Sequence, residues 1–277
     1  MTIVTAAARV TDLGDETNNP FVAHNNLGAS ATLGGTSVLT GGDRANAVTG
    51  STYDKWRPDV TGANAYLTFD FGSAITISFA AIAAHNLFDF AGNVRVQNSA
   101  DAVTWADAGA GLVTPANNTP IGWRMVKTGN AFRYWRFAFG GLTAGDLLSV
   151  GVAFMGGDLV IPRRLYQGFA PILTPTEVQL QSNVSVGNEL LGSSVVGRGS
   201  TLMADISNVG PSFIRSANWL AFQRHFNDGG GAFFAWRPAK YPEDIHYIWR
   251  NGPVIRPENT GPRDLMNIHI EAQAHNA

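Results

Sequence analysis

The most constraining feature of the sequence is a strict alternation of apolar and polar residues in several short segments. Leu67, Phe69 and Phe71 alternate with more polar neighbours, and the pattern resumes over Ile75–Phe79 after an expected turn at Gly72-Ser73. A period of two places successive side chains on opposite faces of a β-strand. Other segments of this kind contain Val94, Val96, Trp135, Phe137, Phe139, Val150, Val152 and Phe154. Because turns rich in Gly, Asn and Pro separate these segments, the first half is predicted to form an antiparallel β-sandwich.

The second half of the chain combines the same alternation with one helix. Strands are predicted around Val178–Val186 and Met266–Ala272. Between them, apolar residues at helical spacing predict a helix over residues 211–226, which the run Asp228–Gly231 ends. Residues 158–175 contain three prolines and break the alternation, which indicates a junction. We therefore expect an all-β protein with these parts: a sandwich domain at 1–157, a linker at 158–175 and a β domain with one packed helix at 176–277.

Composition excludes several classes of function. Charged residues make up 14% of the chain and the net charge is −2, so nucleic-acid binding is not expected. Cysteine is absent, which excludes disulfides, thiolate metal sites and a cysteine nucleophile. The N-terminus lacks the basic and apolar regions of a secretory signal, and the most apolar stretch, Ala74–Ala84, is too short to cross a bilayer. We expect a soluble protein made in the cytoplasm, with no membrane insertion.

The sequence contains no recognisable catalytic constellation. It has no nucleophile elbow, Walker A loop, dinucleotide-binding glycine motif or zinc-protease helix motif. The six histidines are scattered, and His269 is expected on the solvated face of a strand. Glu243-Asp244 lies beside Pro242 in a sequence that predicts a turn, which explains both carboxylates. A glycan-cleaving enzyme needs two carboxylates in one cleft, and Asp54 and Asp59 are the nearest candidates. We expect no enzyme, no cofactor and no metal site.

Aromatic residues adjacent to arginine recur along the chain, and this combination is found in sugar-binding sites. Alternation assigns Trp135 to the core and the adjacent Arg136 to the outside, which is ordinary sheet architecture. The loop around Trp56 has no such assignment. Tyr53, Asp54 and Arg57 in this loop are therefore the candidate ligand-binding residues.

Four segments between residues 25 and 155 follow one another in a recognisable order. They are Ala45–Gly50 leading to Trp56, the strand Leu67–Gly72, the hairpin Ser99–Trp105 and the strand Arg133–Arg136. This order resembles the discoidin, or coagulation-factor 5/8 type C, domain family. The resemblance implies a galactose-binding-like jelly roll whose loops at one end contact a glycan or another protein. The chain has Thr49-Gly50 where many members have Asp-Gly, so the family's calcium or sugar ligands are not carried over.

The C-terminal part resembles the β domains from which tailed bacteriophages build tail tubes, distal tail rings and tip hubs. The residues behind this resemblance are the Val178–Val186 strand, the Phe213–Phe226 helix and residues 233–250. It implies a structural virion protein of the viral tail, a distal tail or minor tail protein of the baseplate or tail tip. Such a protein forms a ring, with a hexamer expected, between the tail tube protein and the hub and tip proteins, and assembles in the bacterial host's cytoplasm.

A ring requires a surface that contacts copies of the same chain. The predicted helix has a wide apolar arc, and we expect Trp219, Phe222, Phe233 and Trp236 at the subunit interface. The alternative is that this arc packs between its own sheet and the other domain. The alternative function is that of a carbohydrate-binding, lectin-like protein, in which residues 1–157 bind a host surface glycan.

Overall fold

The computed structural model describes residues 2–109, 111–165, 168–174, 177–259 and 263–275. The strands of these residues are β1 Thr2–Thr5, β2 Phe21–Ala23, β3 Thr32–Gly35, β4 Ala65–Thr76, β5 Phe79–His85, β6 Asn93–Ser99, β7 Ala106–Asp107, β8 Ile121–Arg124, β9 Ala131–Gly140, β10 Val150–Gly156, β11 Leu159–Val160, β12 Glu177–Val184, β13 Leu190–Val209, β14 Ala232–Ala235, β15 Ile245–Arg250, β16 Glu258–Asn259 and β17 Met266–Ala274. The α-helices are α1 Ala7–Leu13, α2 Pro211–Ile214 and α3 Ala217–Asn227, and short 3-10 helices span Gly14–Asn18, Leu27–Ser30, Arg44–Val48 and Leu87–Phe90. The predicted all-β class is confirmed.

Two sheets form the sandwich predicted from the alternating segments. A five-stranded sheet has the order β3-β4-β9-β6-β7 and faces a four-stranded sheet of order β1-β8-β5-β10. Leu67 and Phe69 of β4 point into the shared core, whereas Tyr66 and Thr68 lie on the outer face. The turn expected at Gly72-Ser73 is wrong, because β4 continues through it with a bulge between Asp70 and Ile75 where it pairs with β9.

The four-stranded sheet is buried on both faces. All residues of β5 and β10 are buried. Ala80 and Ile82 of β5 belong to the sandwich core, whereas Phe79 and Ala81 point the other way into a second core. A strand covered on both faces reads as a continuous apolar run rather than an alternation, and the sequence FAAIAAH of β5 fits this reading.

The second core lies against an eight-stranded sheet. Its strand order is β11-β2-β14-β15-β17-β13-β12, with β16 paired to β17. Phe233 of β14 packs into the second core, and Phe234 points to the opposite face, where α3 covers the sheet. Three sheets and one helix are thus stacked in layers. The predicted helix over 211–226 is two helices, because the Ser216 side chain accepts a hydrogen bond from the Trp219 backbone N–H at 3.3 Å and caps a new helix there.

The predicted domain boundaries differ from the structure. Residues 21–23 pair with residues 233–235 in the middle of the eight-stranded sheet, although the prediction placed them in a sandwich domain at 1–157. The start of the predicted linker is also part of the fold, because β11 pairs with β2 and Ile161 is buried. The reason is a tertiary contact: the apolar triplet Phe-Val-Ala of β2 is buried on both faces of the sheet.

A buried ion cluster joins the segments that meet at the sequence position of the predicted linker. The Asp158 carboxylate accepts hydrogen bonds from Arg9 Nη2 at 2.5 and 2.6 Å and from Arg124 Nη2 at 2.7 Å. Burial alone would raise the pKa of Asp158, but the charges of Arg124 and Arg9 outweigh it and lower that pKa. Loss of the carboxylate would leave two buried cations unpaired, at a cost of about 3–5 kcal/mol. The cluster therefore fixes α1 and β8 to the start of β11.

Candidate functional site

The loop that carries the predicted ligand residues is fixed by one buried side chain. Trp56 is fully buried in the sandwich core. Its backbone N–H donates to the carbonyl of Val150 in β10 at 2.9 Å, and its C=O accepts from the Val150 N–H at 3.0 Å. Arg57 continues the pairing, because its N–H donates to the Gly42 carbonyl at 3.1 Å. Since alternate residues of an extended segment point in opposite directions, burial of Trp56 turns the side chains of Lys55 and Arg57 away from the core.

An open groove of about 660 Å³ lies beside this loop. It is lined by Leu39, Thr40, Thr52, Tyr53, Lys55, Arg57, Leu147, Leu148 and Ser149. We call it the Tyr53 groove. The ring of Tyr53 is 89% exposed and Leu147 is 66% exposed, so both present apolar surface to a ligand.

Of the three predicted ligand residues, the structure brings Tyr53 and Arg57 together in this groove. Asp54 is exposed but does not line it. Sequence reasoning missed Lys55, although its position two residues before Arg57 in an extended segment is the signal that would have found it. Ligand binding by these residues remains a prediction.

The other predicted surface, the subunit interface, needs correction. Trp219, Phe222 and Phe233 are fully buried inside the protomer, so as folded they offer no surface to a neighbouring copy. Trp236 is half-buried, donates its indole N–H to Asp244 at 2.7 Å and packs on Phe169. The alternative interpretation of the apolar arc is confirmed for its own sheet, because α3 covers the eight-stranded sheet of its own chain.

A different apolar surface is exposed, on the hairpin formed by β12 and the first half of β13, residues 177–199. All eight residues of β12 are exposed. The pairing register puts Leu180 opposite Val195 and Val184 opposite Leu190, all on one side together with Val178. These five residues, which are 47–68% exposed, form what we call the apolar hairpin face. The opposite side carries Gln179, Gln181, Asn183 and Ser194.

Both long edges of this hairpin have unpaired backbone. Among the described strands β12 pairs only with β13, and β17 pairs with β13 only from Ser200 onwards. The hairpin therefore extends past the sheet as a two-stranded ribbon. Its charged residues are Glu177, Glu189 and Arg198, and it contains no proline.

His269 and the Glu243-Asp244 pair lie in the surroundings that the sequence predicts. His269 is exposed as expected, and its Nδ1 lies 2.7 Å from Asp205 Oδ1. Asp244 closes the expected turn, donating its backbone N–H to the Tyr241 carbonyl at 3.1 Å. Within the described ranges no three His, Asp or Glu side chains are grouped to hold a metal ion. None of the described helices is long and apolar enough to cross a membrane.

A smaller cavity of about 420 Å³ lies between α3 and the loops after β2 and β10. The rings of His24 and His225 meet there with centroids 5.6 Å apart. Burial, with a smaller contribution from the charge of His225, lowers the pKa of His24 to about 4. At neutral pH the His24 ring is therefore uncharged.

Comparison with known proteins finds similarity only at the level of solved structures. No family model matches the chain, and no curated protein matches it. Chitosan-binding module 1 of a chitosanase/glucanase from Paenibacillus sp. IK-5 is 17% identical, with 48% of this chain and 100% of the module covered and a TM-score of 0.39. The CBM32 of AlyQ, in complex with 4,5-unsaturated mannuronic acid, is 17% identical over 48% of this chain and 96% of the module, with a TM-score of 0.36. CBM32-1 of a family 31 glycoside hydrolase from Clostridium perfringens is 14% identical over 48% of this chain and 99% of the module, with a TM-score of 0.38.

Proposed function

We propose that this chain is a structural protein that assembles with copies of itself through the hairpin 177–199. The observation that carries the proposal is the apolar hairpin face, where five Val and Leu side chains share one exposed side of a two-stranded ribbon. Contiguous exposed apolar patches mark interaction sites. Each such side chain that leaves water on assembly contributes about 1 kcal/mol when it is half exposed beforehand.

The backbone edges favour a second copy of the chain as the occupant. Proteins protect exposed strand edges with lysine, proline or bulges that twist the edge away. This hairpin contains neither lysine nor proline, and it has two register irregularities, between Gln179 and Leu180 and between Asn183 and Val184. The free edge of β12 and the free edge of residues 190–199 are on opposite sides of one ribbon. The β12 edge of one copy can therefore pair with the β13 edge of the next. This head-to-tail contact generates a ring if its rotation closes.

The ring-forming tail component predicted from the sequence is the setting we propose for this assembly. In that role the hairpins of successive subunits line a ring, a hexamer in the sequence-based expectation, between the tail tube protein and the hub and tip proteins. Electron microscopy of purified virions in which this protein carries a label tests this setting. Label at the tail tip supports it, and virions without label overturn it.

Self-assembly itself is tested with the full chain in solution. We expect multi-angle light scattering to show an oligomer whose fraction rises with concentration and rings in negative-stain images. The double substitution Leu180→Glu and Val195→Glu places two charges on the apolar hairpin face and is expected to give a monomer. The matched control, Gln181→Glu and Ser194→Glu, adds the same charge to the polar side and leaves the oligomer intact. A chain that stays monomeric at high concentration contradicts the proposal.

A second candidate function, saccharide binding at the Tyr53 groove, is favoured by one observation of its own. An exposed tyrosine ring lies there beside two cations and three hydroxyl side chains, and sugars bind by stacking a ring face on an aromatic side chain while polar groups fix their hydroxyls. The similar solved structures include a chitosan-binding module and a module in complex with 4,5-unsaturated mannuronic acid. A glycan array with the full chain tests this function. Binding that Tyr53→Ala abolishes supports it, and an array without signal rejects it.

A further inference from the structure

The charges that line the Tyr53 groove all have one sign. Lys55 and Arg57 are among its lining residues, and no aspartate or glutamate is. The chain as a whole has a net charge of −2, so this groove is a local exception. A cleft lined by one sign of charge concentrates field lines and attracts ligands of the opposite charge.

Neither cation has an acidic partner among the described residues. An exposed arginine elsewhere shows the paired geometry: Arg133 donates from Nε and Nη2 to both oxygens of Asp70, at 2.7 and 2.8 Å. The guanidinium of Arg57 keeps the same two-pronged donor geometry free in the groove. That geometry matches the two oxygens of a carboxylate or the oxygens of a sulfate ester.

Lys55 is less exposed than Arg57. Its side chain is half-buried, and its backbone C=O accepts a hydrogen bond from Asn46 Nδ2 at 3.2 Å. Burial lowers the pKa of His275, and the charge of Lys55 lowers it further. The positive charge of Lys55 therefore acts both on His275 and on the groove that Lys55 lines.

We infer that the Tyr53 groove binds an acidic saccharide, whose acid group is held by Arg57 and Lys55 and whose pyranose face stacks on the Tyr53 ring. This inference rests on the saccharide-binding candidate function above. Leu147 covers the other side of the sugar, and the hydroxyls of Thr40 and Ser149 lie within the same walls. A nucleic acid is a poorer match, because two cations neutralise only two phosphates of a strand.

The test measures binding of the full chain by isothermal titration calorimetry to four probes. They are a trigalacturonate, a sulfated disaccharide, a neutral trigalactose and a short oligo-dT. We expect the trigalacturonate or the sulfated disaccharide to bind about ten-fold or more tightly than the neutral sugar at low salt, with the ratio falling as salt is added. The stronger of the two acidic probes identifies carboxylate or sulfate as the acid group.

Substitutions separate the acid-binding role from general sugar binding. Arg57→Gln and Lys55→Gln are each expected to weaken the acidic probe about five- to ten-fold and to leave the neutral sugar unchanged, whereas Tyr53→Ala weakens both. Arg263→Gln, which removes an exposed cation outside the groove, is the matched control and changes neither.

The outcomes distinguish the inference from the function on which it rests. A neutral sugar that binds as tightly as the acidic probes overturns the acidic specificity and leaves saccharide binding in place. Oligo-dT that binds as tightly as the trigalacturonate indicates a general anion surface and overturns the inference. Absence of binding to all four probes rejects both the inference and the saccharide-binding function.

Discussion

Two exposed β surfaces of this protein differ in how they meet solvent. On the outer face of the five-stranded sheet, Arg136 stacks on the rings of Tyr66 and Trp105 at 4.4 and 4.0 Å and donates from Nε to Gln97 at 2.8 Å. On the hairpin, Leu180 and Val195 face water side by side. The sheet face satisfies its polar groups within one chain, whereas the hairpin leaves apolar surface and backbone edges for a partner. Solvent exposure alone therefore does not identify an interaction surface. Exposed apolar side chains next to unpaired backbone groups do.

Removal of the hairpin is expected to have the largest effect on self-association, and it tests the difference between the two surfaces most directly. Replacing residues 178–197 with a short Gly-Ser linker is expected to abolish self-association, because both the apolar hairpin face and the free edges are lost. Folding is expected to persist, since β12 contributes no residue to the buried cores. Light scattering reports the mass and thermal unfolding reports the fold. An oligomer that survives the excision would place the interface elsewhere.

A decrease in pH is expected to lower the free energy of unfolding without weakening self-association through the hairpin. The expected effect is smaller than that of removing the hairpin. Burial lowers the pKa of both His85 and His246 from 6.5 to about 4. The unfolded chain therefore binds protons first, and stability present above pH 6.5 is lost as the pH falls towards 4. Between pH 7 and 5 the loss is about 2 kcal/mol for each histidine, measured by urea unfolding.

The hairpin contains no histidine, so the association constant of the folded protein is expected to stay constant over the same pH range. The double variant His85→Gln and His246→Gln should reduce the pH dependence of unfolding without changing association, and the remaining dependence comes from His24 and His275, whose pKa values are also lowered by burial. An association constant that falls together with stability would show that the interface includes residues of the buried cores.

The smallest expected effect is on the free energy of unfolding, after a substitution on the outer face of the five-stranded sheet. Arg136→Ala removes one cation from between two aromatic rings and is expected to lower the free energy of unfolding by about 1 kcal/mol. Arg95→Ala on the same face is the control. Its Nη1 lies 3.6 Å from Asp107 with both side chains about 40% exposed, so a change near zero is expected. Neither variant should alter self-association in sedimentation velocity experiments, and one that did would assign this face to the interface.

Alternation predicted the strands well because it is a local property. The strands around Leu67, Val94 and Trp135 are present, and Trp135 is fully buried. The same alternation was present around Val178, but it does not reveal whether the apolar side finds a cover within the chain. The apolar side of the hairpin has no cover among the described residues, whereas the apolar arc of α3 is covered by the eight-stranded sheet. The predicted interface was wrong for this reason.

Contacts between distant segments were beyond the reach of the sequence patterns. Arg9 and Asp158 are 149 positions apart. No local sequence pattern predicts that a residue of α1 pairs with a residue at the start of the segment 158–175. The Tyr53 groove was partly foreseen, because Tyr53 and Arg57 lie in one loop. The contribution of Leu147 depended on the loop before β10 folding beside it.

The position of β2 has a consequence for how the chain is made. Residues 21–23 are synthesised well before their neighbours on one side, residues 233–235. The eight-stranded sheet cannot close until residues 233–235 have been synthesised, so the apolar Phe-Val-Ala segment lacks this partner while the intervening residues are made. A polypeptide truncated before residue 232 would keep this segment uncovered and would be a substrate for chaperones and proteases.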